Sequence, residues 1–370
     1  MAPSARTPRH RVVLVLVSVL VLLGAATLAA YATRTGPFAK DGYCWGAWSE
    51  DGGPSVLGDD YARAAETYGS PGRGEAATCV VAFGAPGTEE MRTPDTSLNG
   101  AAPGAREGTG GQRLVARVGP PPRATGGQRR AWLAEALPGS AAPLPDGLPG
   151  VAGRDHGTLV LPEECDTGHV PLVVTVRADG GAIELGPEQD VAQLLLSLAK
   201  TAREKAGCAE GPPMRITTPV RTAPGEESYD EGRPTCRVPG LRLAPRRGEV
   251  TGFAGAIGDR LQPCSLELTD KDGDVTARGH FVVTSHPRLV PLFAGMTGGR
   301  SPGAGWRGNG RIERGDGLVT AECRGRPTVF HLHLDGPLAR AATPDTRAVF
   351  ARAADSVTER LGCPPVGPRG

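Results

Sequence analysis

The sequence predicts an α+β protein: an N-terminal transmembrane helix followed by two similar modules, each a small, mostly antiparallel sheet with one packed C-terminal helix. Three observations predict it. An uncharged run stands near the N-terminus, eight cysteines fall into two series of similar spacing, and each series brackets the same succession of alternating strands and one amphipathic helix.

Residues 12–31, VVLVLVSVLVLLGAATLAAY, contain no charged side chain. As a helix such a run is about 30 Å long, enough to cross a bilayer core. Arg6, Arg9 and Arg11 precede it, so residues 1–11 are expected as a cytoplasmic tail, 12–32 as the anchor and all that follows outside the cell. The competing reading is a cleavable signal peptide, because Ala30-Tyr31-Ala32 fits a small-x-small cleavage site. Cleavage there gives a secreted protein. A tail this short leaves no room for a cytoplasmic signalling or DNA-binding domain.

The chain has 370 residues, room for about two domains of ordinary size. Lys and Arg total 41 against 40 Asp and Glu, a near balance that argues against a nucleic-acid footprint. Gly 54 and Pro 35 require many turns, while Phe 7, Trp 4 and Tyr 5 are few for two large cores.

Cys44, Cys79, Cys165, Cys208, Cys236, Cys264, Cys323 and Cys363 all follow the apolar run. An even number on the oxidising side reads as disulfides, and no two are close enough for zinc-finger spacing. The first four are separated by 35, 86 and 43 residues, the second four by 28, 59 and 40. Residues 84–111, rich in Gly and Pro and poor in large apolar side chains, account for nearly all of the difference. They read as a disordered insertion.

With that insertion set aside the halves agree element by element. CVVAF and CSLEL begin strands at Cys79 and Cys264; RLVARV and HFVVTS follow; TLVLPEEC and GLVTAEC end in Glu-Cys; PLVVTV and VFHLHL come next; KAGC and RLGC close a helix. Leu194, Leu195, Leu198, Ala202 and Ala206 recur at helical spacing. Val349, Phe350, Ala353, Val357 and Leu361 stand at the same distances before the final cysteine. Thr343-Pro344 and Pro187 are the expected helix starts, and the glycine before each last cysteine the stop. Asp270-Lys271-Asp272-Gly273-Asp274 reads as a hairpin turn. Module 1 is then 33–208, the linker 209–235 and module 2 236–370. Each set of four cysteines allows three pairings. The favoured one joins Cys165 to Cys208 and Cys323 to Cys363, pinning helix to sheet, with Cys44–Cys79 and Cys236–Cys264 completing it.

Chemical motifs are sparse. His331-x-His333 places two imidazoles on one strand face, a weak candidate for metal binding, with His280 and His286 near a neighbouring strand. Val173 and Thr175 are taken as their counterparts in the first copy. No cofactor or metal is expected. Asp270, Asp272 and Asp274 do not continue as a calcium loop, since the sixth and twelfth positions hold Val275 and Phe281. The glycine-rich stretch 295–310 lacks the Gly-Lys-Ser/Thr ending of a phosphate cradle. Its Trp306, with Trp45 and Trp48 beside Cys44, are weak candidates for ligand contact, and packing is the favoured role for all three. Serine-hydrolase and zinc-protease motifs are absent from the sequence.

A short basic tail, one apolar run, Cys-Trp-Gly, repeated Glu-Cys strands and helices ending Gly-Cys together resemble streptomycete-type actinobacterial membrane-anchored surface proteins. The resemblance implies an exported protein tethered at the membrane and brings no activity or site residues with it. The expected function is binding or assembly at the cell surface, with a cell-envelope protein or polymer as partner and no nucleic acid. The alternative is a cell-envelope hydrolase with its site between the modules.

Overall fold

Alternating apolar residues build two large sheets, and one face of each is roofed by the helix that ends its half of the chain; a two-stranded sheet, Gly42–Tyr43 with Trp48–Ser49, precedes them. In the first half the strands of the large sheet are β1 (Ala62–Tyr68), β2 (Ala77–Gly84), β3 (Gln112–Gly119), β4 (Ala142–Pro143), β5 (Gly150–Ala152), β6 (His156–Val160) and β7 (Val173–Asp179). Helix α1 (Gly127–Ala136) follows β3, and α2 (Glu188–Lys205) follows β7. The second half contributes β8 (Glu249–Phe253), β9 (Leu261–Thr269), β10 (Val275–Thr284), β11 (Asn309–Glu313), β12 (Asp316–Cys323), β13 (Arg326–Leu334), α3 (Gly336–Ala341) and α4 (Thr346–Leu361). The computed structural model describes residues 17–18, 42–49, 62–84, 112–124, 126–179, 184–221 and 234–368.

The first sheet runs β1-β2-β3-β7-β6-β5-β4 and the second β8-β9-β10-β13-β12-β11. Every pairing is antiparallel. Without β4 the two orders coincide, so the repeated spacing is a repeated topology. Register aligns the copies residue by residue. Cys79 faces Ala116, which faces Val176, which faces Gly157. Cys264 faces Phe281, then Leu332, then Gly317. The two glycines serve one purpose: a Cβ at Gly157 would lie 2.7 Å from Leu195, and one at Gly317 would lie 2.9 Å from Phe350. Leu195 and Phe350 occupy the same place before their closing cysteines, so each helix lies down on its sheet at a bare backbone position.

All four disulfides form within a module: Cys44–Cys79, Cys165–Cys208, Cys236–Cys264 and Cys323–Cys363. This is the favoured pairing, and it supports an oxidising, extracellular setting. Cys44 and Trp45 are both left-handed at φ 51° and 61°, and Cys236 and Arg237 repeat this at 52° and 55°. Gly207 and Gly362, both at φ 64°, turn the chain out of α2 and α4 toward the last cysteine of each copy.

Between the sheets lies a third core. Leu133, Leu137, Val151, Val160 and Val173 from module 1 meet Leu261, Val282, Leu289, Leu292, Phe293, Leu318 and Val329 from module 2. The modules therefore pack sheet face toward sheet face, with α1 and the 3-10 turn Val290–Phe293 wedged in, and α2 and α4 on the outside.

Several expectations are corrected. The described architecture is α+β, and the expected transmembrane helix is not part of it: among the described residues no helix is long and apolar enough to cross a membrane. The longest described helix, α2, has one buried apolar stripe and charged residues elsewhere, the pattern of a helix on a sheet. Of the segment 12–32 only Val17 and Ser18 are described, as helix; the remainder, the tail 1–11 and Ala30–Ala32 lie outside the described residues, as do 85–111 of the insertion and 222–233 of the linker. The remaining start of the linker packs back, with Val220 buried and Asp146 accepting from Thr217 and Thr218. The strand before Cys165 stops at Val160, because Pro162 ends it and Cys165 sits in the 3-10 turn Glu163–Cys165. Helix α4 starts after Asp345, whose side chain accepts from the Ala348 amide, rather than at Thr343-Pro344.

Candidate functional site

On the inner sheet face of module 2 several polar residues come together in one cluster. Successive strands place Ser265, His280, His333, Asp316 and Glu313 in a single cross-strand row. His331 and Leu318 stand in the next row. Because alternate residues share a face, His280, His331, His333 and Asp316 all turn toward the inter-module core, away from α4.

Burial makes this row chemically distinct. His331 is 0% exposed and His280 1%. Asp316 Oδ1 lies 3.7 Å from His331 Nε2 and 3.5 Å from His333 Nδ1, close polar contacts longer than hydrogen bonds. Its Oδ2 accepts from Arg130 Nη1 of α1 at 3.4 Å and lies 3.7 Å from Arg311 Nη2. His280 Nε2 pairs with the Leu137 carbonyl of module 1 at 2.8 Å. Phe293 meets the His331 ring edge-on with centroids 5.7 Å apart. Both ring nitrogens of His331, Nδ1 of His280 and of His333, and Oδ1 of Asp316 are buried without a hydrogen-bond partner.

The protonation states follow from the surroundings. Burial pushes His280 down to about 3, with the neighbouring His331 adding to the effect. Burial likewise lowers His331, against the pull of Asp316. For Asp316 burial acts to raise the carboxyl, but His331, His333 and Arg130 outweigh it and hold the group well below the usual carboxylate range. The cluster is thus one ionised carboxylate between two guanidiniums, with the neutral imidazoles of His280 and His331 beside it. Such an arrangement holds two surfaces in register. Among the described residues no group of three or more His, Cys, Asp or Glu is placed to hold a metal ion.

The structure brings His331 and His333 together with Asp316, which sequence inspection did not single out. Its signal was parity: in DGLVTAEC the aspartate shares a strand face with inward-pointing Leu318. Arg130, from a helix of the other module, had no such signal. The register also replaces the counterparts assigned to the histidines: Thr175 matches His331 and Arg177 matches His333, not Val173 and Thr175. His286 stands apart, pairing with the Gly147 carbonyl at 2.9 Å.

Each tryptophan is engaged in packing. Trp48 is buried and donates to the Leu194 carbonyl; Trp45 donates to that of Gly69. Trp306 stacks on Phe350 at 5.7 Å. The turn at 270–274 is a plain hairpin, with Asp270 accepting from the amides of Asp272 and Asp274.

Two open grooves remain on the outer surfaces. One, of about 810 Å³, runs along α4 past Ala348, Ala351, Arg352 and Asp355 to Pro365 and Pro368. The other, of about 590 Å³, runs along α2 past Gln193, Leu196, Ser197 and Lys200 to Met214 and Ile216. These helix residues occupy equivalent positions in the two copies. The cleft between modules, about 460 Å³, is lined by Glu163, His169, Arg288 and Asp166. There Arg288 donates to both Asp166 oxygens, at 2.6 and 2.7 Å, and to the Leu161 carbonyl. That is a holding contact rather than a poised acid. No protein-family profile, curated protein or solved structure matches this chain.

Proposed function

We propose that this protein works outside the cytoplasm by binding or assembly at the cell surface, using the paired grooves beside α2 and α4, rather than by catalysis. One observation carries the reading: His280, His331 and Asp316 are buried between the modules, while the two largest grooves described lie at equivalent places beside α2 and α4. The grooves share a frame and differ in charge. Lys200 stands in one where Asp355 stands in the other, so the two copies suit different parts of a partner, a cell-envelope protein or polymer. The uncharged segment 12–31 directs export. N-terminal sequencing of the mature protein distinguishes retention at the membrane from release near Ala32.

The test is a photo-crosslinking side chain placed at Gln193 or Ala348 in intact cells, with Lys271 at the exposed hairpin tip as control. A discrete adduct at the groove positions and none at Lys271 supports the reading. Adducts spread equally over all three positions, or none at any, overturn it.

A further inference from the structure

We propose that the module interface is an acid-sensitive latch: protonation of the buried imidazoles His280 and His331 releases α1 and the loop after it from the inner face of module 2, while each disulfide-stapled module stays folded. This concerns regulation of the extracytoplasmic body and holds whatever the grooves take.

The geometry supplies each part. His280 is itself a tie between modules, through the Leu137 carbonyl at the end of α1. His331 lies against Phe293 in the same core, with neither ring nitrogen partnered. A proton added to either ring therefore creates a buried N–H without an acceptor, which costs more than a lost hydrogen bond. The charges facing the rings do not neutralise it. From α1 comes Arg130, from β11 Arg311, from β12 Asp316 and from β13 His333. Glu313 is engaged with Arg311 at 3.4 Å, and Asp335 reaches only the far nitrogen of His333, at 3.7 Å. The single carboxylate in contact already serves two guanidiniums.

The rest of the design lets the interface open alone. Every disulfide lies within a module, so no covalent bond crosses the boundary besides the chain itself. The sign is set by burial. The folded interface favours neutral rings, so its stabilisation is complete above the ordinary histidine value of about 6.5 and is lost progressively as pH falls below it.

The test is hydrogen exchange on the purified full-length chain at pH 7.5 and 5.0, corrected for the intrinsic pH dependence of exchange. Peptides covering 127–143 and 280–296 are expected to exchange about ten-fold faster or more at pH 5.0, with α2 and α4 unchanged. The double variant His280→Leu/His331→Leu is expected to lose this response, and His169→Gln, at an exposed histidine, to keep it. Should the double variant not fold, ring titration of the parent by NMR decides the matter. Titration of His331 in step with the loss of protection supports the latch, whereas titration near 6.5 without change in protection overturns it. It is also overturned by unchanged exchange at pH 5.0, by equal loss in α2 and α4, by a double variant as acid-sensitive as the parent, or by zinc shifting the His331 ring signals at pH 7.5.

Discussion

The two modules share a frame and differ on the face that looks inward. Both lay a helix over a bare glycine, both close that helix with a left-handed glycine and a cysteine, and both open on two successive left-handed residues beginning with cysteine. On the inner face, module 2 carries Asp316, His333, His331 and His280 where module 1 carries His156, Arg177, Thr175 and Val115. The outer face answers to folding, which both copies must do alike. The inner face answers to the partner module, and there the copies have specialised.

The largest expected effect tests the shared frame. Replacing Cys165 and Cys208 by Ala, or Cys323 and Cys363 by Ala, opens loops of 43 and 40 residues. Chain entropy alone predicts a loss of about 4 kcal/mol for each. Denaturant unfolding of the two variants should give similar losses; a difference above about 2 kcal/mol breaks the equivalence of the copies.

Next comes the specialised face. Asp316→Asn leaves Arg130 and Arg311 facing each other without their carboxylate, and with the aspartate buried but the guanidiniums partly solvated this should cost about 2 kcal/mol. Its counterpart His156 pairs with a largely exposed Asp155, so His156→Asn should cost about 1 kcal/mol. Equal costs in the same unfolding assay would mean the inner face of module 2 has no special role.

What the sequence disclosed divides along the same line. Cysteine spacing, alternation and the helix stripes all report on contacts within one module, and they located the sheets, the terminal helices and the disulfides. The site was only half visible. His331 and His333 announce themselves by spacing, but Arg130 reaches Asp316 from 186 residues away, and no local pattern encodes a contact between modules. Strand ends were misplaced where proline intervened: Pro162 stops β6 early, and the Pro344 signal precedes the true helix cap.

A smaller effect sharpens the shared frame. Gly317→Ala drives a methyl against the Phe350 ring, whose nearest atoms cannot swing aside, whereas Gly157→Ala meets chiefly the mobile end of Leu195. Overpacking of this kind costs about 2 kcal/mol at the first site and about 1 kcal/mol at the second. Thermal melts reversing that order would show that the helices do not approach their sheets in the same way.

The smallest effect concerns the start of the terminal helices, where the copies use different chemistry for one task. Asp345 accepts from the Ala348 amide, satisfying a donor that the helix leaves unpaired, and Asp345→Ala should lower stability by about 1 kcal/mol. Pro187 stands at the equivalent boundary of α2 with no side-chain cap. Its backbone, at φ −56° and ψ 151°, suits a capping residue. Yet Pro187→Asp would trade the cap against the rigidity proline gives the unfolded chain, worth about 0.4–1 kcal/mol. The two nearly cancel, so the net change should stay within about 0.5 kcal/mol of zero. A clear gain at 187 would show that the first copy begins its helix less firmly than the second, and that its stability rests more on the linker segment packed along α2.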